Sequence, residues 1–232
     1  GTGLNTAPGY VERAAAELAR LTGEPIKPAA DLSAQMQSMG DLQQLSNAVR
    51  ALALEVTRIA NDMRLLASGP RTGFAEITLP AVQPGSSIMP GKLNPVMFEM
   101  LNQVCYQVLG QDTAIALMVQ AGQLELNVMM PALGSALFDA MDWLTNALDA
   151  TTRKGVHGLT VDRARCRELL HTSVGLATLL NTAIGYSAAA EVAKESARSG
   201  RPVRDIVAEK GLMKADDFER LVEQAAIAGN IQ

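Results

Sequence analysis

Pro84-Gly85-Ser86-Ser87-Ile88-Met89-Pro90-Gly91-Lys92-Leu93-Asn94-Pro95 interrupts an otherwise strongly helical pattern. Its prolines and glycines bar it from being a helix interior. Within nine residues, 86 to 94, it gathers two hydroxyls, one ammonium and one carboxamide. At its right end Asn94 fits an N-cap and Pro95 the first helical position, where a missing N–H costs nothing. The first-turn amides of that helix then face the loop with the positive end of the dipole behind them. Lys92 adds a full charge, and Gly85 and Gly91 let backbone approach a ligand. These features compose a site for a small anion, most naturally a carboxylate. The competing reading of the same residues is an ordinary polar loop ahead of a well-capped helix.

Before the loop, Leu42, Leu45, Val49, Leu52, Val56, Ile59, Met63 and Leu66 recur three and four apart, with no proline or glycine between Gly40 and Gly69. Such a rod cannot bury its seam alone, and the alanines beside the seam favour a bundle core over a free coiled coil. A shorter helix is expected over 8–21, ended by Gly23 to Pro28. A short extended piece fits Glu76–Leu79. After the loop, a second long helix is expected over 95–119 and a third over 123–152, kinked at Pro131. From Asp162 the pattern shortens to about 162–170, 173–180, 187–198, 202–209 and 214–225. The expected fold is all-α: a long-helix bundle over 1–158 carrying the loop, then a small helical C-terminal domain over 159–232.

The chain has 232 residues, a net charge of −4 and only 3% aromatics, which argues against nucleic acid or an anionic membrane as partner. Cys105 and Cys166 fall within apolar helical patterns and read as reduced thiols of a cytoplasmic protein. No signal peptide and no run of eighteen apolar residues is present, so neither export nor a membrane span is expected. Eleven methionines at helical spacing read as core filler. His157 and His171 read as surface or capping residues. No cluster has metal-ligand spacing and no glycine motif suits a nucleotide, so no metal and no cofactor are expected.

The loop resembles the signature of the aspartase/fumarase superfamily, GSSxMPxKxNxxxxE, with each fixed position met from Gly85 to Glu99. The likeness spans most of the chain. Gly1-Thr2-Gly3-Leu4-Asn5, Asn61-Asp62, Arg64-Leu65-Leu66, Ser68-Gly69-Pro70-Arg71 and Glu76-Ile77 are similar to family elements before the loop. Glu125-Leu126-Asn127-Val128 and Ile184-Gly185-Tyr186 are similar to elements after it. Gly91 and Leu93 within the loop lie nearer the fumarase and aspartase branches than the argininosuccinate or adenylosuccinate lyases. Asn102-Gln103-Val104-Cys105 and the stretch from Ala121 to Met129, with Gly122-Gln123-Leu124, resemble the aspartase branch more than the fumarase branch.

The resemblance implies a lyase that eliminates ammonia from L-aspartate to give fumarate, with fumarate hydration as the alternative reaction. It implies Ser86 as the base, with Ser87, Lys92, Leu93 and Asn94 holding the substrate carboxylate. It implies that Glu99 orients a catalytic histidine. It further implies a small dicarboxylate substrate and a homotetramer with active sites shared between subunits. Family members are twice this length, so the chain is expected to match their C-terminal half, to need the N-terminal half, and to be inactive alone. A non-catalytic helical assembly piece that keeps the loop as inherited structure is the reading from another class.

Overall fold

The computed structural model describes residues 1–85, 89 and 91–228. The chain is all-α. Its helices are α1 (Tyr10–Thr22), α2 (Leu32–Gln37), α3 (Gly40–Leu66), α4 (Val96–Gln120), α5 (Met130–Thr151), α6 (Arg163–Thr172), α7 (Asn181–Ile184), α8 (Tyr186–Ser199), α9 (Val203–Glu209) and α10 (Ala215–Ala228). A π-helical turn, Thr152–Val156, prolongs α5, and a 3-10 stretch, Val174–Leu180, precedes α7. Two short strands, β1 (Ile77–Thr78) and β2 (Thr160–Val161), pair antiparallel, with Ile77 opposite Val161. Among the described residues no helix is long and apolar enough to cross a membrane.

The chain forms two compact units, one of residues 1–65 with 79–159 and the other of 66–78 with the residues from 160 onward. The second unit thus takes in a segment that lies before the loop in sequence, whereas a single division at 158/159 was expected. The β1–β2 pair ties that segment in, and Arg165 reinforces it by donating from Nε to the Phe74 carbonyl and from Nη2 to the Gly73 carbonyl, at 2.9 and 3.3 Å.

The first unit is organised by α3, α4 and α5. At 27 residues α3 is about 40 Å long. Only half of its predicted seam faces inward. Leu42, Val49, Val56 and Met63 pack on the core, while Leu45, Leu52 and Ile59 are 43%, 49% and 50% exposed. The buried line on α3 is instead Ser46, Ala53 and Ala60, seven apart. Small residues at that spacing let a neighbouring helix come close, so the inward face is shifted by one residue from the large side chains. On α4, Phe98, Leu101, Cys105, Val108 and Ile115 are buried, and Leu133, Leu137 and Leu144 answer them from α5. Burial pushes the Cys105 thiol up from its ordinary pKa, opposed by a hydrogen bond with Thr57, so it stays protonated and inert.

Two helix boundaries differ from expectation. The third long helix begins at Met130, and Pro131 sits in its first turn, so no kink follows. The intervening residues turn tightly, with Gln123 and Leu126 exchanging backbone hydrogen bonds. Asn127, fully buried, joins the two helices: its Nδ2 donates to the Met118 carbonyl at 3.0 Å, and its Oδ1 accepts from the Met129 amide at 2.9 Å. One carboxamide thereby caps the end of α4 and the start of α5.

The second unit has its own core, centred on Leu180, Val192, Val203, Ile206, Val207 and Phe218. Asp162 caps α6 by accepting from the Arg165 amide at 2.9 Å. His171 lies in the last turn of α6, not at the start of a helix, with Nε2 3.5 Å from Glu219. Of the two histidines expected at the surface or as caps, His157 is exposed and His171 is half-buried.

Candidate active site

The loop is held between its two limbs. A Cβ at Gly85 would meet the Lys92 carbonyl oxygen at 2.6 Å, so the backbones of the two limbs touch there. Only glycine allows that approach. On the return limb, Lys92 N–H donates to the Met89 carbonyl at 3.1 Å, and Gly91 has φ +82°. Met-Pro-Gly-Lys is the residue pattern of a type II turn, which asks for φ > 0 at its third position. The chain therefore reverses just before Lys92.

Lys92, Leu93 and Asn94 are all exposed. They line, with Ala81 to Gly85, a cleft of about 230 Å³ open to solvent. An adjoining cleft of about 170 Å³ lies under Val82 and Asn94, floored by Phe98 and Gly155. Each offers only about 10 Å³ of enclosed room, far below the ~300–1,000 Å³ usual for a ligand site. Ser86 and Ser87, expected as base and carboxylate ligand, lie outside the described residues.

The helix start differs by one residue from expectation. Pro95, not Asn94, is the N-cap, and no side chain caps the helix. Asn94 instead contributes its carbonyl, which accepts from Val96 N–H at 2.8 Å, while the Pro95 carbonyl accepts from Phe98 N–H at 3.0 Å. Two first-turn amides are thus engaged by the backbone, and the anion-binding capacity of the loop rests more on Lys92 and the Asn94 carboxamide than on the helix end. Freed from capping, the Asn94 side chain is available to a ligand. Glu99 sits in the first turn of α4, half-buried.

Behind Glu99, α4 is joined to α3 by polar side chains. Asn102, one turn further along, is buried and donates from Nδ2 to Asn61 Oδ1 at 2.7 Å. Arg64 Nη1 reaches the same oxygen at 3.4 Å. At the far end, Ser46 Oγ donates to Asp112 Oδ1 at 2.6 Å, and Arg50 pairs with the other carboxylate oxygen at 3.3 Å. In the sequence, Asn61, Arg64 and Asn102 stand out only as parts of strings that resemble family elements. An asparagine on the apolar face of α4, three residues after Glu99, was the available signal. Among the described residues no group of three His, Cys, Asp or Glu side chains is placed to hold a metal ion.

A sequence-family model described as "Lyase" matches residues 1–110, and one described as "Fumarase C C-terminus" matches residues 176–229. An aspartate ammonia-lyase of Pseudomonas canavaninivorans is 46% identical over 213 residues, covering 92% of this chain and 45% of the relative. A fumarate lyase/delta crystallin of Brucella melitensis has a similar structure, with a TM-score of 0.90 and 39% identity, over 98% of this chain and 49% of the other. The class II fumarase of Schistosoma mansoni superposes with a TM-score of 0.86 at 33% identity, over 96% of this chain and 50% of that one. The chain spans about half the length of the curated relatives it matches.

Proposed function

The chain belongs to the aspartase/fumarase superfamily of lyases, and on that premise we propose that its 84–95 loop serves the elimination of ammonia from L-aspartate. The observation that carries this reading is the loop itself, pinched at Gly85 and Lys92 and presenting Lys92 and Asn94 to a cleft, in a chain 46% identical to an aspartate ammonia-lyase.

The chemistry asks for a base and for charge stabilisation. In our reading the Ser86 oxygen, as alkoxide, takes a proton from the carbon next to one substrate carboxylate. The C–H electron pair moves into that carboxylate, giving a doubly charged aci-form. It then returns to form the C=C bond as the C–N bond breaks and ammonia leaves. The proton held by Ser86 passes on to the ammonia released, so the products are fumarate and ammonium. The second negative charge is the difficult term. Lys92 and Asn94, with Ser87 and Leu93 completing the carboxylate seat, place positive and polar groups where it develops. Each such donor is worth about 10²–10³-fold, and a positioned base about 10²–10⁴-fold. Glu99 acts at second hand, orienting a histidine supplied by another part of the assembly.

The clefts around the loop are small, and the outward stripe of Leu45, Leu52 and Ile59 on α3 has no cover in one chain. Both fit an assembly in which copies share the bundle and complete one another's sites, as a homotetramer working in the cytoplasm. As its relatives are about twice as long, we take the active polypeptide to include an N-terminal half of the same kind. Fumarate hydration is the second reading, supported by the match of residues 176–229 to the fumarase C-terminal model and by the likeness to a class II fumarase.

The test is the absorbance of fumarate when the full-length polypeptide meets L-aspartate or L-malate. Production from L-aspartate, reduced at least 10²-fold in Ser86→Ala, is expected, with residues 1–232 alone inactive. Response to L-malate only would select hydration. Silence on both would overturn the lyase reading and leave the helical assembly piece.

A further inference from the structure

Two polar rungs cross between α3 and α4, and they differ in completeness. The rung remote from the loop is closed: Ser46 donates to Asp112, and Arg50 neutralises the same carboxylate. The rung near the loop is open. Asn102 is 2% exposed, and its Oδ1 has no hydrogen-bond partner among the described residues. Arg64 Nε is likewise buried and without one. Both side chains converge on the same Asn61 oxygen, at 2.7 and 3.4 Å.

Leaving a buried acceptor and a buried guanidinium donor unmet is costly, most of all for the charged group. An acceptor and a donor on two side chains that share the Asn61 oxygen suit a single buried water, which would donate to Asn102 Oδ1 and accept from Arg64 Nε. The position matters as much as the chemistry. Asn61 lies one turn from the end of α3 and Asn102 less than two turns from the start of α4, so the rung clasps the base of the 67–95 excursion. Glu99 and Asn102 are three apart on α4 and so share a face. Apolar packing by Phe98 and Leu101 tolerates small axial and rotational slips, whereas a directional hydrogen bond does not.

We propose that Asn102, pinned by Asn61 and Arg64 and completed by one buried water, is a positioning residue that sets the direction of Glu99. The inference rests on the lyase reading for its functional consequence but not for the pin itself. A high-resolution crystal structure of the wild-type protein reads the pin without turnover: a water within about 3.2 Å of both Arg64 Nε and Asn102 Oδ1 is expected, and a dry pair would overturn it. In the full-length enzyme, Asn102→Leu and Asn61→Ala are expected to lower kcat about 10- to 100-fold with KM within about twofold. Asn61→Asp, which keeps the accepting oxygen at an exposed position, is expected to restore most of it. Combining either loss with Glu99→Gln should cost little more than Glu99→Gln alone, since the residues act as one unit. Ser46→Ala in the closed rung should lower Tm and leave kcat unchanged. Additive losses, or an Asn61→Asp as poor as Asn61→Ala, would overturn the positioning role. Absence of any wild-type turnover would instead count against the lyase reading and leave the water to decide the pin. Because Asn61 is exposed, its variants keep the test available if Asn102→Leu fails to fold.

Discussion

At Gly85 the absence of a side chain has a stated geometric consequence. The two limbs of the loop meet there, and an added methyl would stand 2.6 Å from the Lys92 carbonyl oxygen. That oxygen is backbone and cannot swing aside, so Gly85→Ala must part the limbs and carry Lys92 with them. On the proposed lyase reading, turnover should fall by about 10²-fold, the cost of misplacing a substrate-holding group by an ångström, while Tm stays within about 1 °C of wild type because Gly85 and Lys92 are exposed and outside the core. Steady-state kinetics beside a thermal melt checks both halves; a large fall in Tm would mean that the limbs brace the fold. Asn127 shows the opposite use of one residue. Its carboxamide is fully satisfied and joins α4 to α5 without touching a cleft, so its part in a family-like string has a structural cause.

At the scale of the element, α3 carries two faces that periodicity alone merges. The inner face runs through Ala53 and Ala60; the outer presents Leu45, Leu52 and Ile59 to solvent in one chain. An exposed aliphatic row along about 21 Å of helix is what an association surface in the proposed assembly would present. Leu52→Glu should therefore shift the full-length protein to smaller species in sedimentation while its circular dichroism keeps the wild-type helix content. An unchanged oligomer would show that the row is covered from within the polypeptide. Because α4 begins only after Pro95, Lys92 to Asn94 stay outside the helix, at the cleft.

For the whole molecule, the division into two units predicts separable stabilities. Phe218 is fully buried in the core of the second unit, and Phe218→Ala should cost about 3–5 kcal/mol. Amide hydrogen exchange should quicken in α8 and α9 with protection in α4 and α5 retained; equal loss in both would show one cooperative block. Much of this was legible in the residues. Long helices, their order, the position of the loop and the kinship to a lyase superfamily all follow from periodicity, proline and glycine placement and a fifteen-residue pattern, because these are local properties of the chain. The inward face of α3, the start of α5 at Met130, the one-residue shift at Pro95 and the joining of 66–78 to the second unit were decided only on folding. Each depends on contacts made only in the folded chain: a close-packed neighbour, a capping carboxamide, a neighbouring carbonyl, a pairing strand. The open rung at Asn61, Arg64 and Asn102 is of the same kind, since a side chain's missing partner is visible only when its surroundings are in place.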